Sequence, residues 1–291
     1  MIYVSSACIR KKSIAEIVRL YAENHIQNIE LSGGTDYYNE IEADLQNLKT
    51  YFRLNYACHA YFPPPQDPFV VNLASCNDQI YKRSIDHYVH CIEMLKCMEC
   101  KVLSIHAGFL IEIGVDEIGK QLHNRIVYDE FKAYERFCDA YEYIAKLCED
   151  NGISFFLENN VLNVQNYKEF GYHNYMMMTD YESIIKMKKQ LDFNLLLDLG
   201  HLHVSANTLG LDYGKECDML QPYIKWIHIS ENNGVMDEHK PLREDSPIIK
   251  ELSKLYHPDI NITLETEGSV QDIIESIKMV ESIQGDFLGG S

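Results

Sequence analysis

Eight short apolar runs, alternating with helix-periodic segments, restrict what this 291-residue chain can fold into. The runs lie at 2–5 (IYVS), 26–31 (IQNIEL), 53–60 (RLNYACHA), 101–106 (KVLSIH), 153–158 (ISFFLE), 193–198 (FNLLLD), 224–230 (IKWIHIS) and 260–265 (INITLE). Between them, segments such as SIAEIVRLYAENH, DEFKAYERFCDAYEYIAKLCEDNG and SVQDIIESIKMVESI space apolar residues three and four apart, as a helix with one buried face does. Strands alternating with helices pair in parallel through right-handed crossovers, and eight such units close into a single (β/α)8 TIM barrel. Hydrophobic residues make up 46% of the chain and no Pro/Gly/Ser-rich stretch offers a linker, so residues 1–291 are expected to form one domain.

Local signals agree with that reading. Ser13, Asp78, Asp180, Ser246 and Ser269 stand where helix N-caps are needed, and Asn151-Gly152 is a stop directly before the fifth strand. With side chains alternating across a strand, an inward Glu265 takes Thr263 and Asn261 inward too, and an inward His106 takes Ser104. A barrel interior lined largely by small or polar side chains is therefore expected. Two long connections, 61–77 and 107–128, follow the third and fourth strands at their C-terminal ends, where barrel active sites lie and where substrate lids form.

Nine His, Asp and Glu residues stand out as candidate metal ligands, six of them as the polar end of a short apolar run: His59, His106, Glu158, Asp198, His201, His228, Asp237, His239 and Glu265. Imidazole and carboxylate donors converging from different strands are how divalent metal sites are built. Glu30, within NIEL at the end of the second run, stands where a substrate contact or a buried ion pair would form, and Tyr61 opens the first long loop, where a ring could stack on a sugar or wedge into a base step. His203, two residues past His201, reads as packing or as a donor behind the ligands. Cys97 and Cys100 form a lone CxxC at the end of a helical pattern, which favours packing over zinc.

Acidic residues outnumber basic ones 44 to 26, and a net charge of −18 opposes binding to duplex DNA. Nine cysteines and an opening MIYVSSACIR without a charged-then-apolar leader point to reduced thiols in the cytoplasm. No apolar run reaches the ~20 residues that span a bilayer.

Taken in order, CHAYFPP, SIHAGF, FFLENN, LLDLGHLH, IHISENNG, MDEHKPL and LETEG resemble the xylose-isomerase-like barrel superfamily, which includes endonuclease IV and the sugar-phosphate isomerases and epimerases. The resemblance covers nearly the whole chain. It implies that Glu158, Asp198, His228 and Glu265 hold one divalent ion (Mn, Mg or Zn), with Glu158 and Glu265 also moving the proton of an isomerase or epimerase and His201 touching substrate. The endonuclease branch implies up to three zinc ions, held with the help of His59, His106, His201, Asp237 and His239.

Proton abstraction next to a carbonyl needs a cation to stabilise the enediolate and carboxylates to move the proton, whereas phosphodiester hydrolysis needs clustered cations. The stretch ISENNGVM between His228 and Asp237 has no Lys or Arg, unlike the basic segment of the endonuclease branch. DEHKPLRED lacks the glycines common among isomerase relatives and offers Lys240 and Arg243 to an anionic group. The leading expectation is thus a sugar or sugar-phosphate isomerase or epimerase acting on a small carbohydrate, with no nucleic-acid or membrane partner and a homo-oligomer left open. An endonuclease IV-like zinc phosphodiesterase is the alternative, and a non-catalytic metal- or ligand-binding barrel the third reading.

Overall fold

The computed structural model describes residues 1–117, 120–123 and 126–289, so four positions of the second long connection and the last two residues lie outside the described residues. Eight parallel strands close in chain order: β1 (Ile2–Ser5), β2 (Asn28–Leu31), β3 (Asn55–His59), β4 (Val102–His106), β5 (Ser154–Glu158), β6 (Asn194–Asp198), β7 (Ile224–Ile229) and β8 (Asn261–Leu264). β8 returns to β1 with Ile262 opposite Ile2 and Leu264 opposite Val4. A (β/α)8 barrel results, as the alternation of runs requires.

Around it pack α1 (Ile14–Glu23), α2 (Ile41–Phe52), α3 (Asp78–Cys97), α4 (Glu130–Asp150), α5 (Val164–Glu169), α6 (Tyr181–Lys188), α7 (Leu199–Leu209), α8 (Tyr213–Leu220), α9 (Pro247–Leu255) and α10 (Val270–Gly289). Ser13 and Asp180 close capping boxes, Ser246 Oγ accepts from Ile249 N, and Ser269 Oγ accepts from Asp272 N. The cap of α3 is Asn77 and not Asp78: its side chain accepts from Gln79 N and Ile80 N, while Asp78 is the first helical residue and pairs with Arg136. Both residue types cap well, so local chemistry left the boundary open by one position. α7 has no counterpart among the helical patterns of the sequence. Its first eight residues, Leu199 to Ala206, are all buried, and a helix surrounded by protein shows no polar face to betray its period.

The interior below the strand ends differs from the small, polar lining expected. Ser104 and Thr263 conform, but Tyr3, Ala57, Phe156, Leu196 and Trp226 form a separate buried cluster. Trp226 lies 5.1 Å from Tyr3 and 5.4 Å from Phe156, centroid to centroid, and its Nε1 donates to Thr263 Oγ1 at 2.9 Å. β4 and β8 suggest a polar lining; the bulk comes from other strands. This apolar layer lies beneath the polar strand ends that face the C-terminal mouth.

Cys97 ends α3 and is exposed, whereas Cys100 lies beyond the helix, buried, with its thiol donating to the Tyr56 carbonyl. The two do not share one helix face as expected. Among the described residues no helix is long and apolar enough to cross a membrane.

Candidate metal centre

Period-two alternation turns the polar ends of β2 to β7 to the inside of the mouth, and Glu265 follows directly after β8. Asp198 ends β6 and is also the N-cap of α7, its Oδ1 accepting from His201 N at 2.6 Å. The Asp-x-x-His spacing is therefore that of a cap and the third helical residue, which delivers both side chains to one place. Asp237 and His239 arrive on the loop after β7. That loop is pinned by an antiparallel bridge, Glu231 N to Lys240 O at 2.9 Å and Lys240 N to Glu231 O at 2.8 Å, while Glu267 N donates to the His239 carbonyl.

Glu158 is at the centre, fully buried. Its Oε2 lies 3.3 Å from His59 Nε2 and 3.6 Å from His106 Nδ1, and its Oε1 lies 3.4 Å from His201 Nδ1 and 3.7 Å from His228 Nδ1. Glu265 Oε1 approaches the same His228 Nδ1 at 3.6 Å. Asp237 Oδ2 joins His201 Nε2 at 3.3 Å and His239 Nε2 at 2.9 Å. All nine sequence-predicted donors thus meet in one cluster.

Several buried polar atoms there, both oxygens of Glu158, Asp198 Oδ2, Asp237 Oδ1 and His228 Nδ1, have no hydrogen-bond partner. Leaving such atoms unsatisfied is costly, and nitrogen and carboxylate oxygens facing one another are the donor set of a divalent ion. Donor atoms of His59, His106 and Glu158 lie within 4.8 Å of one another, as do those of Glu158, Asp198 and His228. The residues fit bound cations.

Burial and neighbouring charges pull the groups of the cluster in opposite directions. Burial raises the Glu265 carboxyl to about 7 and also raises that of Asp198. Burial would raise Glu158 as well, but His106, His59 and His228 hold it well below the usual carboxylate range. Burial lowers His59 to about 3, against the pull of Glu158.

Other candidates fall elsewhere. Glu30, fully buried, holds His228 Nε2 with its two oxygens at 3.0 and 3.2 Å and accepts from Thr263 Oγ1 at 3.0 Å. It does not line the cavity above the cluster but backs His228, and its carboxylate lies within 4.8 Å of donor atoms of His59 and His228. Lys240 turns to Glu238, and Arg243, 66% exposed, lies 3.8 Å from Glu231; neither lines the cavity. Tyr61 does line it, and His203 hydrogen-bonds Asn232 Oδ1 at 2.9 Å, behind the ligands.

Sequence reasoning does not single out Asn159. Its Oδ1 accepts from Asp198 N at 2.7 Å and its carbonyl bonds His201 Nδ1 at 2.9 Å, and only its position beside Glu158 hints at this. Arg10, paired with Glu267, is the one Lys or Arg lining the cavity among the described residues, and no motif announces it.

A family model described as a xylose isomerase-like TIM barrel matches residues 15–283. The chain belongs to this family. Among solved structures, this xylose isomerase-like barrel is similar to a D-tagatose 3-epimerase-like protein, with 18% identity and a TM-score of 0.72 over 98% of this chain and 97% of that one. It is also similar to endonuclease IV from Thermus thermophilus, with 12% identity and a TM-score of 0.61 over 98% and 99% of the two chains. The uncharacterized protein MJ1311 of Methanocaldococcus jannaschii is 21% identical over 287 residues, 96% of this chain and 87% of its own length. At these identities the solved structures establish the fold.

Within the xylose isomerase-like barrel, Glu30 has a clear expected effect. A carboxylate behind a ligating imidazole fixes its tautomer and raises its basicity, so Glu30→Gln should weaken metal affinity by about 10- to 100-fold. Competition against a chelator of known affinity measures this. Unchanged affinity would leave Glu30 as packing alone.

Proposed function

We propose that this barrel is a hydrolase that cleaves a phosphoester of a small molecule at a multinuclear cluster of divalent ions. One observation supports the reading above others: the Glu158 carboxylate is divided, with Oε2 toward His59 and His106 and Oε1 toward His201 and His228. A carboxylate with imidazoles gathered on both sides would help to hold more than one ion, and a glutamate so engaged would not be free to carry a proton. His59 and His106 would hold one ion, Asp198, His228 and Glu265 a second, and His201, Asp237 and His239 a third.

Bound divalent ions would activate water and neutralise phosphate charge. The chain positions the rest. In hydrolysis the water oxygen bonds to phosphorus, the ester P–O bond breaks, and a proton from the water ends on the departing alcohol. Asn159 holds Asp198 and His201 in register for this, and Glu30 orients His228. A cavity of about 760 Å³ suits a small molecule, and the net charge of −18 opposes a nucleic acid.

Metal analysis of protein purified without added metal tests the reading. On the order of two to three ions per chain are expected, as multinuclear phosphoesterases require. A single ion at saturation would overturn it.

The second reading, a one-metal sugar or sugar-phosphate isomerase or epimerase, is favoured by Glu158 and Glu265 both reaching His228 Nδ1 and by the name of the D-tagatose 3-epimerase-like neighbour. There Glu265, which lines the cavity, would exchange a proton with substrate carbon. Deuterium entering a sugar at carbon during turnover in D₂O would decide for it.

A further inference from the structure

The cavity over the cluster has more room and more apolar wall than a phosphate ester needs. At about 760 Å³ it falls within the range of pockets that bury a drug-sized ligand. His59, His106, His201, Asp237, His239 and Glu265 supply its polar part. The loops after β3 and β4 supply Tyr61, Phe69, Val71, Leu73, Phe109 and Val115. Val115 is 48% exposed there, and an apolar surface beside a reaction centre marks a place where apolar ligand surface is buried.

This wall is built, not slack. Asn72 grips Phe109 on both sides of its peptide, donating from Nδ2 to the Phe109 carbonyl at 2.9 Å and accepting from Phe109 N at 3.3 Å. Asn160 Nδ2 ties the same segment from beneath, reaching the carbonyls of Ala107, Gly108 and Met177 at 2.9 to 3.0 Å. Gly108 is packed so closely that a Cβ would lie 2.6 Å from that of Ala74. Side chains on a backbone held this way form a preorganised surface, which lowers the entropic cost of gripping a flat group.

Charge limits the other half of the ligand. Arg10, the only Lys or Arg on the wall among the described residues, is already engaged by Glu267, and Asp36 lines the cavity outside the donor cluster. Anionic groups away from the metal donors would meet like charge.

We propose that the substrate is bipartite: one phosphoester at the metal cluster, joined to an aromatic or heteroaromatic group seated against the wall of Tyr61, Phe69 and Phe109. This rests on the hydrolase reading for its reaction, but the aromatic subsite is independent of turnover. Phenylphosphonate and methylphosphonate, titrated calorimetrically into the metal-loaded protein, test the subsite alone. Phenylphosphonate is expected to bind about tenfold tighter or better, the value of burying one ring, and Phe109→Ala should reduce that preference several-fold. Equal affinities, or no binding by either, overturn the proposal.

A second arm compares hydrolysis of benzyl phosphate with that of methyl phosphate, followed as released inorganic phosphate; both leave as alcohols of similar acidity and only the first carries a ring. A kcat/KM higher for the benzyl ester by a similar factor is expected. A binding preference with no turnover of either ester removes the hydrolase reading and keeps the subsite. Turnover without any preference does the reverse.

Discussion

Glu158→Gln is expected to lower turnover by about 10³-fold, the scale on which a reaction centre depends on a central charged group, and to strip bound metal from the protein. The side chain is fully buried and lies within 3.3 to 3.7 Å of nitrogens on four histidines. An amide of the same shape keeps one carbonyl oxygen but turns an NH₂ donor toward the other pair of imidazoles, so a cation could be shared with at most one of the two pairs. Neutralising the carboxylate also removes the charge that holds the neighbouring imidazoles in place. Metal content and turnover should therefore fall together. Wild-type metal content in the variant would show that Glu158 does not bridge.

Chelation has the second large effect. Without cations, the buried carboxylates of Glu158, Asp198 and Glu265 and the half-buried one of Asp237 crowd together, and several of their oxygens lack partners. A ligand that binds only the folded state stabilises it by about 4 kcal/mol when present at a thousand times its Kd. For a chain of this size, stripping the metal should lower the melting temperature by roughly 10 °C, and re-adding zinc or manganese should restore it. Imidazoles and carboxylates must lose protons to ligate, so the stabilisation shrinks as pH falls and the same titration at lower pH gives a smaller shift. A melting temperature indifferent to chelator and metal at every pH would argue that the cluster holds no ion.

Much of this architecture is legible in the chain. The eight runs coincide with the eight strands, and the polar residue ending each of β3 to β6 faces the mouth because the alternation is local and repeats. α7 is hidden from such a reading because burial on all sides erases the periodicity on which it depends. The interior plug is hidden because strand alternation says which way Phe156 and Trp226 point, not how closely their rings will meet. Glu30, one residue before the end of β2, points inward as the candidate donors do, and that position alone does not separate a substrate contact from a support behind His228. Proximity in sequence offers Lys240 and Arg243 to an anion, yet their own loop supplies acidic partners in Glu238 and Glu231.

By itself the sequence determined the barrel and the set of donors at its mouth, because strand period, helix period and caps are properties of neighbouring residues. Which donor meets which was decided only by the tertiary structure. Glu30 and His228 are 198 positions apart and touch through their side chains across the closed barrel. The division of Glu158 between two pairs of histidines likewise depends on strand stagger and on the tilt of each ring. Those are set by how the whole barrel packs, and no short stretch of sequence encodes them.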